Sequence, residues 1–432
     1  MLAYKCSTNF PIRAGEVKFG LLSSEEIERM STCQVKDTTI YYRGLPNPGG
    51  INDNRMGTVD RRLLCGTCCK DVRHCQGHVG HIKLSFPMYH IGFFDTTFKV
   101  LRCVCFACSK LCLTEEEKRS MSSEYGKNQF TNVYNILKQR KKCPHCGFLQ
   151  PTYVRGAMFI KAEWHDEFES EEEKDFCTKI FTQRDTLSIL SHILDEDCKL
   201  MGLNPEVCHP KNMILTTILV PPPVARPAIM ASEGSRSRGQ DDLTHKLQDI
   251  NKKSIELFNA INQQHWTDLD ITLELFEKIN KLQFEVFTYM NNNIRGQKQS
   301  TQRSGAPTKS LTDRLRGKDG RIRGNLMGKR VDFSARSVIT PDAVMDVDQV
   351  GIPEKIAVSL TIPERVTSIN IEKLTKRVVN GANNVDGAEN VVTSNGVMIN
   401  LNHCENREKI RLQYGWIVER YLQDDDVRQQ CL

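Results

Sequence analysis

The sequence predicts a multidomain α+β protein whose N-terminal third is stabilised by zinc. Three observations carry this. Two sets of four cysteine or histidine donors lie between Cys65 and Cys146. Two segments between Leu243 and Tyr289 repeat apolar positions at alternating spacings of four and three, the period of packed helices. From Val331 onward, β-branched segments take over.

Composition sets the class. The chain has 432 residues, 39% hydrophobic and 26% charged, room for roughly three soluble domains. "MILTTILVPPPV" (213–224) comes nearest to a membrane span, and Pro221–Pro223 end it too soon. "MLAYKCSTNF" lacks the apolar core of a signal peptide. Seventeen cysteines without such a signal argue for metal-held thiolates in a reducing compartment. Ten fall between Cys65 and Cys146; the scattered remainder read as small buried hydrophobes.

In chain order, Ser23 followed by Ser24-Glu25-Glu26 marks a helix start with acids in its first turn. "CGTCCKDVRHCQGH" then reads Cys65-x2-Cys68-x6-Cys75-x2-His78, two short chelating turns suited to tetrahedral zinc. Cys69 is a spare, and His81 reads as a packing residue or a partner of the ligands. "IKLSFPMYHIGFF" reads as a strand or buried connection. The second set is split: Cys105 and Cys108 in "CFAC", Cys143 and Cys146 in "CPHC". Between them "TEEEKRSMSSE" starts a helix expected to cover the site. Cys103 and Cys112 compete as ligands but lack the x2 spacing; His145 is a bystander inside the turn. Each set offers four donors, whereas a catalytic zinc keeps an open position. No H-E-x-x-H or deaminase signature is present. Two structural Zn²⁺ are therefore expected.

"LVPPPVARPAIMASEGSRSRGQDD" (219–242) should be extended in its proline part and mobile after it. Leu243, Leu247, Ile250, Ser254, Leu257 and Ile261, then Leu275, Ile279, Leu282, Val286 and Tyr289, form facing seams of an antiparallel helical hairpin. The polar "NQQHWTDLD" turns between them and places Trp266 at the tip. "GQKQSTQRSGAPTKS" (296–310) is a loop, and "TKSLTDRLRGK" a short basic helix. "VDFSARSVIT", "NVVTSNGVMINL" and "IRLQYGWIVERYL" read as strands of a mixed domain.

Net charge is +6, but Arg295 to Arg336 holds twelve Lys/Arg against three Asp/Glu. This is the concentrated positive block expected of a nucleic-acid-facing surface. Within it, "GRIRGNLMGKRVDFSAR" (320–336) repeats glycine at Gly320, Gly324 and Gly328, which opposes a stable helix. Lys318, Arg321, Arg323, Lys329, Arg330 and Arg336 are the candidate phosphate contacts.

These segments, in this order, resemble the N-terminal part of the largest subunit of multisubunit DNA-dependent RNA polymerases of the eukaryotic type. The likeness runs from "EVKFGLLSSEEI" to "LQYGWIVERYLQDDD" and is strongest in "RGQDDLTHKL" and "GRIRGNLMGKRVDFSARSVIT". It implies a zinc-stabilised clamp with a protruding helical hairpin, followed by the start of a β-rich active-site module. By the resemblance, 1–100 is clamp core with the first zinc site, and 101–221 clamp head with the second. Residues 222–240 are a lid loop and 241–294 the clamp hairpin. Residues 295–316 are the rudder and basic helix, 317–336 a switch that grips template, and 337–432 the start of the active-site module. The partners implied are the second-largest and smaller subunits, template DNA and the RNA–DNA hybrid, and initiation and elongation factors docking at Trp266. No membrane partner is expected. The family's Asp-rich Mg²⁺ motif is absent from "DDDVRQQCL", so Mg²⁺ and nucleotidyl transfer are expected of the complete enzyme, with no catalytic residue here. Asp424–Asp426 reads as a surface turn. The compact, divergent "STCQVKDTTIYYRG" and "KQRKKCPHCGFLQPTYVRG" point to a large cytoplasmic DNA virus, similar to African swine fever virus. That source would place the protein in the host cytoplasm, at viral factories, and in the virion; a cellular source would place it in the nucleus.

Two other readings compete. A stand-alone zinc-dependent DNA-binding regulator needs a base-reading element, and the glycine-broken basic block makes a poor recognition helix. A zinc scaffold for protein partners leaves the basic block unexplained.

Overall fold

The computed structural model describes residues 15–16, 19–60, 62–121, 128–164, 181–230, 238–263, 272–346, 349–382, 384–404 and 406–422. Internal packing divides the chain into two units, 1–323 and 324–432.

The first unit is organised by a long antiparallel strand pair. β1 (Gly80–Tyr89) pairs with β2 (Ile214–Val220), with a register shift between Lys83 and Met88. Pro221–Pro223 end β2 as the sequence requires. Ahead of it, Ser24–Met30 is helical, and Ser23 and Glu26 form a reciprocal capping box.

Two helices pack on the strand pair: α1 (Asp242–Gln263) and α2 (Leu273–Met290). Their expected seams are buried together with Ile82, Phe86, Met88, Ile218 and Val220. Lys246, early in α1, reaches Glu285 at 2.6 Å and Thr288 at 3.0 Å late in α2, so the helices run antiparallel. Polar positions dock the pair. Ser254 accepts the Ser85 amide at 3.0 Å. Gln283, fully buried, accepts from the Tyr89 amide at 2.8 Å and donates to its carbonyl at 3.1 Å. The base of the hairpin is therefore core. Towards its far end Phe258 and Leu273 are exposed.

A second cluster in this unit surrounds Cys103–Cys112, Cys143, Tyr153, Leu190 and Cys198. The acidic segment forms a helix at Glu115–Met121, but the apolar cover of the cysteines comes from the next helix, Gln129–Leu137, through Val133 and Leu137. Charge explains the difference: the acid-rich turn is better solvated than buried. The segment expected to be mobile after the prolines is paired at its ends, Ile229–Met230 with Arg238–Gly239.

Burial holds His81, His90 and His209 below the ordinary histidine pKa of 6.5. The fold therefore favours their neutral form, while the unfolded chain takes up protons as pH falls through 6.5. Their contribution to stability is present above that value and is lost as pH falls below it towards the folded pKa values. The urea midpoint should drop between about pH 7.5 and about pH 5.5, and replacing the three by glutamine should flatten that part of the profile. An unchanged slope in the triple variant would refute the assignment.

In the second unit four antiparallel strands form a sheet: β3 (Thr361–Arg365), β4 (Ala388–Val392), β5 (Met398–Asn400) and β6 (Ile417–Tyr421), in spatial order β5-β4-β6-β3. The amphipathic helix α3 (Ile371–Asn380) packs Leu374 and Val378 on Val391 and Val418. "VDFSARSVIT", read as a strand, is not one. Residues 331–340 have no ladder partner among the described residues, and every side chain there is exposed. β-branched composition needs a paired strand to become sheet.

Candidate metal centres and basic segment

Three CxxC turns have one shared geometry. The amide four residues after the first cysteine donates back to its carbonyl: Cys69 to Cys65 at 2.9 Å, Ser109 to Cys105 at 3.1 Å, Gly147 to Cys143 at 3.0 Å. Each donor residue is left-handed, with φ of 56°, 56° and 76°. Cys69 is thus the turn residue of its knuckle, exposed and outside the ligand set. Amides also donate to sulfur: Thr67 to Cys65 at 3.4 Å, Cys108 to Cys105 at 3.5 Å, and His145 to Cys143 at 3.4 Å.

The first centre brings together Cys65, Cys68, Cys75 and His78, all donor atoms within 4.8 Å of one another. Gly77, at φ 87°, turns the chain between Cys75 and His78, and a Cβ there would lie 2.8 Å from Pro222. The second centre brings together Cys105, Cys108, Cys143 and Cys146 by the same criterion. The Cys105–Cys146 sulfurs are 3.5 Å apart and Cys108–Cys143 3.8 Å. A tetrahedron with zinc–sulfur bonds of about 2.3 Å has edges of about 3.8 Å, and a disulfide closes at about 2.05 Å. The donor sets therefore fit tetrahedral zinc. Cys112, buried, lies against the Cys105 and Cys143 sulfurs but outside the four; His145 Nε2 is 3.0 Å from the Leu111 carbonyl. His81 is buried in β1 with Nδ1 2.7 Å from Ser31 Oγ.

The electrostatics favour a cation. A hydrogen bond with the Cys112 thiol pushes Cys105 down to about 4, while burial pushes Cys108 up to about 12. At the first centre the His78 hydrogen bond pushes Cys68 down to about 6, and burial pushes Cys75 up to about 11. Without metal each cluster accepts one thiolate and resists the next; a divalent ion removes that resistance.

The basic segment differs in kind. Ser310 and Asp313 cap the short helix Leu311–Leu315 reciprocally. Beyond Gly317 (φ 91°) the chain makes a π-helical turn over Ile322–Leu326, and every residue from Arg321 to Val344 is exposed. Lys318, Arg321, Arg323, Lys329, Arg330 and Arg336 all face solvent. So do Leu326, Met327, Val338 and Ile339, each more than 70% exposed. Trp266 and Asp424–Asp426 lie outside the described residues. Sequence reasoning missed Gln150, whose amide reaches the second centre, and Arg226, a buried guanidinium.

The family model for RNA polymerase Rpb1, domain 1, matches residues 13–326, and that for domain 2 matches residues 328–429. The chain belongs to the Rpb1 family. It is 38% identical over 426 residues to the DNA-directed RNA polymerase II subunit RPB1 of Euplotoides octocarinatus, covering 95% of this chain and 87% of that one. As an Rpb1 relative matching domains 1 and 2, it is an N-terminal region of the largest subunit and part of a DNA-directed RNA polymerase, working with other polymerase subunits and with DNA. Neither the stand-alone regulator nor the zinc scaffold is favoured by these matches. Among the described residues no helix is long and apolar enough to cross a membrane.

Proposed function

We propose that this region is the clamp and template grip of the polymerase. Residues 1–100 and 101–221 are the zinc-bearing clamp core and head, 222–240 the lid, and 295–316 the rudder and basic helix. Residues 317–336 are the switch, and 337–432 begin the active-site module. The two zinc ions are structural: four protein donors at each centre leave no position for a reactive water. Mg²⁺ belongs to the complete enzyme, where it supplies nucleotidyl-transfer chemistry. Residues 241–294 form the projecting hairpin; the exposed Phe258 and Leu273 support this. Factors dock at Trp266 on its tip, and the second-largest subunit covers part of the exposed apolar run.

The observation that carries the grip is the cationic stretch from Arg321 to Arg336, in which every residue is exposed. Glycine gives it backbone freedom, the π-helical turn marks it as irregular, and the guanidinium forks suit phosphate oxygens. Ordering by template would couple DNA loading to clamp closure.

Salt dependence tests it. Replacing Arg321, Arg323, Lys329, Arg330 or Arg336 singly by alanine in an assembled polymerase should lower the log–log salt slope of template binding by about 0.7 on single strand or about 0.9 on duplex for each cation that contacts phosphate. The loss should be similar for unrelated sequences, because phosphate contacts carry no base information. Unchanged slopes in all five variants, with equal hydrogen exchange of 317–336 with and without template, would refute the grip.

A further inference from the structure

The second metal centre is assembled from two knuckles that lie 34 residues apart in sequence. One side chain touches both. Gln150 accepts the Phe106 amide of the first knuckle through Oε1 at 2.9 Å. Its Nε2 donates to the Phe148 carbonyl of the second knuckle at 2.9 Å and to the Cys105 sulfur at 3.3 Å. The Phe106 and Phe148 rings stack across the same junction, with centroids 6.1 Å apart and planes 12° apart. The Gln150 main chain is itself fixed, its amide donating to the Lys141 carbonyl at 2.7 Å.

We propose that the Gln150 carboxamide is the latch of the second metal centre: it joins the two knuckles and damps the charge of the Cys105 thiolate. This rests on the reading of that cluster as a metal site.

Both parts follow from the chemistry of the amide. It is a donor and an acceptor at once, and each knuckle offers the complement: an N–H at Phe106 and a carbonyl at Phe148. A four-thiolate zinc centre carries two negative charges, so a neutral N–H pointing at sulfur stabilises it. The first centre spans fourteen consecutive residues and has less chain to close. A carboxylate of the same shape would supply no N–H, facing a thiolate and a carbonyl with another acceptor. Gln150→Glu therefore separates the latch from mere packing, and Gln150→Met keeps size while removing every polar contact.

The test uses the intact protein, stripped and reloaded with cobalt(II) under chelator competition. Three cobalt–sulfur bonds at the first centre and four at the second distinguish them by charge-transfer absorption. Gln150→Met should weaken the second centre by about 10–100-fold and leave the first unchanged. Gln150→Glu should weaken it further. In Gln150→Met the charge-transfer band of the second centre should move to lower energy, because Cys105 loses an N–H partner. Second-centre affinity within twofold of native in both variants, or an unmoved band, overturns the proposal. If Gln150→Glu fails to fold, Gln150→Met alone decides it by the same two measurements. Native protein that takes up no cobalt at the second centre refutes the metal reading itself.

Discussion

Cys75→Ala and Cys146→Ala should each lose one of two bound zinc equivalents and unfold the segment around the vacated centre. Binding of a structural zinc is worth about 10–16 kcal/mol in small isolated domains, and there it is folding free energy. The two losses should differ in extent. Around the second centre Cys105 and Cys143 belong to the same buried cluster as Tyr153, Leu190 and Cys198, so losing Cys146 should expose much of that cluster. At the first centre Cys65 and Cys75 are buried, and the turn at Gly77 passes against Pro222 at the base of the proposed lid. Losing Cys75 should therefore loosen residues 222–230 as well. Metal analysis with hydrogen exchange reads both. Retention of two equivalents in either variant, or protection unchanged around the lost centre, would count against the assignment.

The second large effect should come from Arg226. Its side chain is 2% exposed. It donates to the Pro221 carbonyl at 2.9 Å, Asn52 Oδ1 at 2.7 Å, Thr244 Oγ1 at 3.0 Å and the Ile51 carbonyl at 2.6 Å. All four acceptors are neutral, and burial pushes its pKa down to about 10, still well above neutrality. The guanidinium ties β2's end, the 51–52 loop and the start of α1 into one node. Arg226→Met should cost about 3–5 kcal/mol, since several buried acceptors lose their donors at about 1–3 kcal/mol each. Arg226→Lys should recover little, because an ammonium cannot match the fork. Faster hydrogen exchange at Thr244 and Asn52, with a lower urea midpoint, checks it. A change below about 1 kcal/mol would show the node to be replaceable.

Local pattern was legible where it decided structure. The ligand spacing identified both donor sets, and the alternating fours and threes located α1 and α2. Ser23 marked a helix start, and "TKSLTDRLRGK" contains the short helix Leu311–Leu315. What failed depended on distant partners. Residues 331–340 have strand composition, but a strand exists only against another strand. The helix over the second centre was assigned to the acidic segment; apolar burial selected the next one. β3 carried no strong signal in "TIPERVTSINIEKLTKRVVN", whereas Ile371, Leu374 and Val378 keep the spacing of an amphipathic helix and do announce α3. Gln150 and Arg226 were invisible because nothing local distinguishes a glutamine or arginine that meets several chain segments at once.

The pairing of β1 with β2 also sets a schedule for synthesis. Ile82, Phe86 and Met88 share a core with Val220, Leu247 and Val286. Their side of that core cannot close until some two hundred further residues have left the ribosome. At about 5–20 residues per second, those apolar faces wait about 10–40 s. The cluster around the second metal centre needs mostly residues 89–201 and can form in the meantime. The nascent chain thus matures from its middle outward. The strand Gly80–Tyr89 is made early and is among the last elements to be satisfied, a long interval in which chaperones would have apolar surface to hold.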